Sequence, residues 1–352
     1  MVWFSQFWPA RLWAEARRCE VQLLDLSGRE YVVKDTPVTS RIDDTIHSVS
    51  VRGAPSGTKD IVLVHGFMCG TGIFWRNLGA LAAHAGIRSV TSVDWRGAGL
   101  SGRALPYAPT SHDEAVDFLV EGLEQWRRAH YAAAGESNRK FVLVGHSMGA
   151  IVTANYAARY PGAVEHLILC GPAAVEASPM APGIVDHPVY KFAAALWTRG
   201  TTPGYVVRGL GPFGDLLVRN YVQRRFREGV LMRDEEAEAL TSYLQCIMHL
   251  PGASEQAMSQ ILGPIAAAKV PLGPLVEQLG CPVTYVYGAS DWMQPARGLR
   301  SAERMAAAGK DARCLVLKNA GHYPFLDQPD AFNGLLLQRI FERPPRSKRW
   351  PF

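Results

Sequence analysis

No two cysteines of this 352-residue chain stand in a Cys-x-x-Cys pair. Cys19, Cys69, Cys170, Cys246, Cys281 and Cys314 are scattered, and several lie in apolar, strand-like runs. This pattern argues against a disulfide framework and predicts reduced, buried thiols and an intracellular setting. Long apolar runs are also missing. None reaches the ~18 residues of a membrane span, and the start lacks the continuous apolar core of a signal peptide. Charge is nearly balanced, with 37 Lys and Arg against 32 Asp and Glu for a net of +5. That is too mild for a nucleic-acid binder, though it suits contact with anionic lipid. There is no internal repeat. His65, His146 and His322 show no metal-ligand spacing, so neither a metal nor another cofactor is expected. The stretch Gly97-Ala98-Gly99-Leu100-Ser101-Gly102 matches a dinucleotide fingerprint literally. The Ala-Leu-Pro-Tyr-Ala-Pro that follows Arg103 is no helix, so a pyrophosphate would have no helix N-terminus to bind.

What is present is a series of short apolar strands. Val21–Leu26, Tyr31–Val33 and Thr45–Arg52 read as early strands. Residues 60–64, 89–94, 141–144, 166–170, 283–287 and 314–318 continue the series. Helical patterns separate them, which predicts a mostly parallel sheet covered on both faces. Ser111 opens a capping box for a helix toward Arg128. Residues 147–160, 296–308 and 330–341 read as further helices. Residues 171–280 differ, with helical stretches at 213–226 and 234–249 punctuated by Pro and Gly. The expected organisation is a core of residues 19–170 and 281–343, with a helical lid insertion at 171–280. An aromatic, basic membrane-association segment at 1–18 and a basic tail at 344–352 flank it.

The chemistry centres on Val144-Gly145-His146-Ser147-Met148-Gly149, where an apolar strand runs through Gly-x-Ser-x-Gly into a small-residue helix. Gly145 and Gly149 remove side chains where the turn crowds, leaving Ser147 exposed at a helix start. A serine needs a base, and the base needs an orienter. Asp291 follows the strand 283–287, and His322 follows the next one, giving the order nucleophile, acid, base. Asp327 is the rival carboxylate; capping the next helix or bracing the His322 loop are its other readings. An oxyanion hole needs two converging N–H groups. Met148 supplies one, and the loop His65-Gly66-Phe67-Met68 the other, at Phe67 or at Met68. His65 and Gly66 read as supports of that loop.

Two further features bear on partners. Trp3, Phe4, Phe7, Trp8 and Trp13 precede or surround Arg11, Arg17 and Arg18. This composition fits an interfacial lipid anchor, a helix packed on the domain, or a mitochondrial targeting segment. Arg219, Arg224 and Arg225 interleave with Phe213, Tyr221 and Phe226, fitting either a phosphate headgroup or a solvated helix face.

Taken together, these motifs resemble a branch of the α/β-hydrolase fold. It contains the lipid-droplet lipase coactivator, the N-acylphosphatidylethanolamine lipase and the fungal cardiolipin deacylase. The resemblance rests on the Trp-rich start, on residues 63–67, 94–101 and 118–127, on Gly211-Pro212-Phe213-Gly214, and on Gly321-His322-Tyr323-Pro324-Phe325-Leu326-Asp327. The coactivator has Asn where this chain has Ser147. The resemblance implies a serine hydrolase cleaving phospholipid or lysophospholipid acyl groups. It also implies peripheral contact with a membrane or lipid droplet, on the cytoplasmic face, with a mitochondrial site also compatible. The His-x4-Asp spacing is linked in the branch to acyl transfer onto lysophosphatidic acid. A soluble-substrate carboxylesterase and a non-enzymatic lipase regulator are the remaining readings.

Overall fold

The computed structural model describes residues 8–103, 107–177, 187–227, 232–264 and 267–342. Trp3, Phe4, Phe7 and the tail 344–352 therefore lie outside the described residues. In chain order the elements begin with α1 (Trp8–Asp25), β1 (Val32–Pro37), β2 (Thr45–Arg52) and β3 (Lys59–Val64). A 3-10 turn at Thr71–Phe74 leads into α2 (Trp75–Ala82), β4 (Ile87–Val93), α3 (His112–Ala132), β5 (Phe141–His146), α4 (Met148–Arg159) and β6 (Val164–Cys170). Helices then dominate: α5 (Pro188–Thr198), α6 (Pro203–Leu210), α7 (Pro212–Arg227), α8 (Asp234–His249), α9 (Ser254–Ile261) and α10 (Gly273–Val276). The chain returns to the sheet through β7 (Val283–Gly288), α11 (Pro295–Ala307), β8 (Ala312–Leu317), α12 (Pro324–Asp327) and α13 (Pro329–Phe341).

Eight strands form one sheet in the order β1-β2-β4-β3-β5-β6-β7-β8. β2 is antiparallel to both neighbours, and β3 to β8 are parallel. The expected mostly parallel sheet is therefore present. Alternation along the central strands divides the core. Val62, Val64 and Leu143 join one buried cluster, whereas Ile61, Leu63, Val142 and Val144 join the other. A strand buried on both faces has no use for polar alternation, which is why residues 60–64 and 141–144 read as unbroken apolar runs. The loops after β3, β5, β7 and β8 all leave the sheet at its carboxyl edge, where ligands of open parallel sheets bind.

Two readings of the N-terminal region need correction. Residues 21–26 are not a strand: α1 runs through Asp25. Ala16, Cys19, Glu20, Leu23 and Leu24 are its buried positions, a helical spacing that the short window Val21–Leu26 conceals. The proposed boundary between 18 and 19 also falls inside this helix. Over its described length α1 is packed on the domain against α8, and Arg103 lies over the Trp13 ring at 5.0 Å.

A buried polar network pins α1. His47 on β2 bonds Glu20 of α1 at 2.8 Å through Nε2 and Asp35 of β1 at 2.7 Å through Nδ1. Glu20 also accepts from the Thr71 hydroxyl and from Tyr243 of α8. Asp94 accepts the Thr71 and Leu100 amides, and its burial raises its pKa to about 7. Burial alone would disfavour an imidazolium, but the Glu20 and Asp35 carboxylates outweigh it and push His47 up to about 10. The folded-state value lies above the unfolded one, so this stabilisation is complete below the ordinary histidine pKa of about 6.5 and is lost as pH rises toward 10. The melting temperature of the wild type minus that of a His47→Asn variant should therefore shrink progressively across that window. A difference that stayed constant or grew would contradict a protonated His47.

Candidate active site

β5 ends at His146, and α4 begins at Met148, so one residue makes the whole turn. Ser147 adopts φ 53° and ψ −117°, a region that costs a non-glycine residue about 1–3 kcal/mol. The turn closes only because the neighbouring residues are small. A Cβ on Gly149 would sit 2.3 Å from the His65 carbonyl oxygen, and one on Gly145 would sit 2.2 Å from the Thr153 hydroxyl. The loop after β3 thus packs directly against the start of α4. Ser147→Gly should relieve the strain and raise stability by about 1 kcal/mol over Ser147→Ala, read by denaturant titration. Equal stabilities would mean that the turn is unstrained.

The structure brings the three residues predicted from spacing together. Ser147 Oγ lies 3.0 Å from His322 Nε2, and His322 Nδ1 lies 2.9 Å from Asp291 Oδ1. The Met293 amide donates to the same Asp291 oxygen at 2.9 Å. All three residues are buried. Nδ1 of His322 therefore carries a proton toward Asp291, leaving Nε2 as an acceptor for the serine hydroxyl.

Asp327, the rival carboxylate, is engaged elsewhere. It accepts the Gly321 amide at 2.7 Å and pairs with Arg225 of α7 at 2.8 Å. It braces the loop that carries His322. Arg225 is consequently held in an ion pair, and it also lies 5.1 Å over the Tyr323 ring. Tyr221 and Tyr323 bond through their hydroxyls at 3.0 Å. Arg219 and Arg224 are exposed and are not among the cavity-lining residues.

His65 and Gly66 behave as supports. Burial lowers the His65 pKa to about 4, and its neutral ring donates to the Gly66 carbonyl at 2.7 Å while stacking on Trp95. A Cβ on Gly66 would lie 2.7 Å from His146 Nδ1. Phe67 and Met148 both line the cavity above Ser147. Met148 opens α4, so its N–H has no acceptor within the helix.

Two site residues escaped sequence reasoning. His146 donates from Nε2 to the His322 carbonyl oxygen at 2.9 Å, and burial drives its pKa well below the ordinary value, keeping the ring neutral. It stands inside the Gly-x-Ser-x-Gly motif, so its position was visible but its partner was not. Gly171, just after β6, has φ +48°, and a Cβ there would sit 2.7 Å from Asp291 Oδ2 and 3.1 Å from His322 Nδ1. A Gly171→Ala substitution should lower kcat at least about a hundredfold by displacing the acid from the base. Unchanged kcat in folded protein would show that Asp291 and His322 tolerate the shift.

The cavity over Ser147 holds about 800 Å³. Ser147 and His322 line it together with the apolar Leu244, Met248, Met258 and Leu262. Burial raises the thiol of Cys69, another lining residue, to about 12, so it stays protonated. A larger shallow groove of about 1160 Å³ runs past Asp25, Arg29 and Arg52, far in the chain from the serine–histidine pair. Away from this cavity, Glu15, Cys19 and Cys246 bring ligand atoms within 4.8 Å of one another. Positions 19 and 246 meet only because α1 packs on α8, a juxtaposition that linear spacing does not reveal. Glu15 also pairs with Arg18, and none of these residues lines the cavity over Ser147.

A model described as "Alpha/beta hydrolase family" matches residues 61–335. A 1-acylglycerol-3-phosphate O-acyltransferase of Arabidopsis thaliana is 31% identical over 317 residues, covering 86% of this chain and 71% of the relative. A (lyso)-N-acylphosphatidylethanolamine lipase of Homo sapiens is 25% identical over 330 residues, covering 92% and 90%. The fold is shared with the solved carboxylesterase CesB of Bacillus subtilis, at a TM-score of 0.62 and 18% identity, with coverage of 94% and 99%. A membrane phospholipase A structure gives 0.63 and 21%, with coverage of 95% and 92%. The chain belongs to the alpha/beta hydrolase family, in the branch that holds these acyltransferase and N-acylphosphatidylethanolamine lipase relatives.

Proposed function

We propose that this protein is a serine acyl hydrolase that cleaves acyl groups from phospholipid or lysophospholipid through an acyl-enzyme on Ser147. The observation that carries the reading is the Ser147–His322–Asp291 hydrogen-bonded chain, opening on an apolar cavity of about 800 Å³. The relatives, a 1-acylglycerol-3-phosphate O-acyltransferase and a (lyso)-N-acylphosphatidylethanolamine lipase, support the substrate class. Peripheral attachment at the cytoplasmic face of a membrane or droplet belongs to the same proposal, since such substrates reside there.

The steps follow from the geometry. Ser147 Oγ attacks the acyl carbonyl carbon while His322 Nε2 takes its proton. Asp291 holds the imidazolium through Nδ1–H. Negative charge forms on the carbonyl oxygen, and the Phe67 and Met148 amides are the proposed donors, each worth about 10²–10³ in rate. Collapse expels the lysolipid, whose leaving oxygen or nitrogen takes the proton from His322 Nε2. Water then attacks the acyl-enzyme, giving its proton to His322, and the fatty acid leaves with Ser147 restored.

A second reading is acyl transfer, favoured by the acyltransferase relatives. A lysolipid hydroxyl would replace water in the last step. The acceptor is chosen by water exclusion and acceptor binding rather than by the three catalytic groups. Asp327, braced by Gly321 and Arg225, would contribute to transfer by holding the His322 loop.

The test is product analysis by mass spectrometry from a mixed phospholipid and lysophospholipid vesicle panel. Free fatty acid should appear with the wild type, and Ser147→Ala should lower its rate by about 10⁴–10⁶. Ser147-dependent diacyl products without fatty acid would favour the transferase. No Ser147-dependent change in folded, vesicle-bound protein would overturn both and leave a lipase regulator or a soluble-substrate esterase.

A further inference from the structure

Exposed large apolar side chains are unevenly spread over the described residues. Fifteen are exposed, and seven of them fall in one helical hairpin. Tyr205, Val206 and Leu210 come from α6, and Phe213, Leu216, Leu217 and Tyr221 from α7. The turn between the helices is Gly211, at φ +54°. α7 already has a buried stripe, Val218, Val222 and Phe226, at four-residue spacing. Its outward stripe is therefore a second apolar face, which packing of the fold leaves uncovered. Phe213 at the tip is 71% exposed and Leu216 is 53% exposed. A soluble helix facing water would carry polar side chains there.

Two observations identify what covers this face. The first is continuity with the cavity. Val206, Leu217 and Tyr221 are exposed and also line the cavity over Ser147, as does Trp292, which is 54% exposed. Trp292 lies 5.2 Å from the His322 ring. The outer apolar face thus shares Val206, Leu217 and Tyr221 with the cavity. The second is charge. Arg219 and Arg224 are exposed on the same helix, with no ion-pair partner among the described residues. The acid of that helix, Asp215, is occupied by His249 at 2.7 Å. Exposed apolar side chains with exposed guanidinium groups on the same helix match the acyl layer and phosphate layer of a bilayer.

We infer that the α6–α7 hairpin is the docking surface for an anionic phospholipid membrane. Phe213 and Leu216 insert at the interface, Arg219 and Arg224 meet lipid phosphates, and acyl chains enter past Val206, Leu217 and Trp292. This rests on the acyl-lipid reading of the cavity, and it assigns to the hairpin a role that sequence composition alone directed to the first eighteen residues.

Vesicle flotation tests it. A Ser147→Ala background keeps the lipid unchanged, and vesicles contain phosphatidylcholine with or without phosphatidylserine. Phe213→Glu with Leu216→Glu should weaken partitioning at least about tenfold on both vesicle types. Arg219→Gln with Arg224→Gln should weaken it about tenfold or more on the phosphatidylserine vesicles only. Ile42→Glu, at a still more exposed apolar position outside the hairpin, should change nothing. With Ser147 restored, the Phe213 and Leu216 variant should still cleave a water-soluble short-chain ester, which shows that it is folded.

Wild-type flotation by the Phe213 and Leu216 variant would overturn the inference. So would binding that vanishes on deletion of residues 1–7 while the hairpin variants bind normally. A hairpin variant that merely converts a dimer to a monomer, with flotation intact, would overturn it as well. The two readings fail separately. Hairpin-dependent binding without Ser147-dependent product sinks the hydrolase reading alone. Cleavage of monomeric lysolipid without a hairpin effect on flotation sinks the docking surface alone.

Discussion

The tight turn at Ser147 is the constraint on which the site depends. One residue at φ 53° converts a buried parallel strand into a helix. That geometry requires the backbone of the β3 loop to touch the start of α4, with the His65 carbonyl where any Cβ on residue 149 would lie. The same contact brings Phe67 and Met148 to one wall of the cavity. The strain is local and costs about 1–3 kcal/mol, a small sum against the burial of four central strands on both faces. A rigid sheet edge can hold such a turn, whereas an isolated loop would relax.

Around this turn the other groups are held from several directions. Asp291 has room only because residue 171 carries no side chain. His322 is fixed by its own ring bonds, by His146 on its carbonyl and by the Asp327 brace on the preceding glycine. Arg225 and Tyr221 extend that brace to α7, at 2.8 Å from Asp327 and 3.0 Å from Tyr323. The helix that presents the outer apolar face is therefore bonded directly to the loop carrying His322. A helical cover tied in this way links the exposed apolar face of α7 to the position of His322.

The buried network around α1 has a different role. Glu20, His47 and Asp35 join α1, β2 and β1, and Thr71 and Asp94 carry the connection to the segment just after the β3 loop. A protonated imidazole between two carboxylates is favourable only if both bonds persist, because an unpaired buried charge is costly. This ties the N-terminal helix to the fold as a structural element. It explains why residues 8–25 are integrated into the domain despite a composition that reads like an interfacial anchor.

Sequence alone determined the local features whose physics is local. Uninterrupted apolar runs marked strands buried on both faces, and Gly-x-Ser-x-Gly between a strand and a helix marked the strained turn. Asp291 and His322 were legible because each follows a strand, and parallel strands deliver their following loops to one edge. Where a segment's contacts lie far away in the chain, spacing was silent. The window Val21–Leu26 suited a strand until the rest of α1 and its partner α8 were in view. Asp327 read as a cap or a brace before it read as an acid, and only the Gly321 amide and Arg225 decided among them. The Glu15–Cys19–Cys246 group, the clearance that Gly171 gives Asp291, and the unpartnered face of α6 and α7 emerged only from tertiary structure. Each depends on which surfaces remain or meet after the core is packed, and that is set by long-range burial rather than by the neighbours of a residue in the chain.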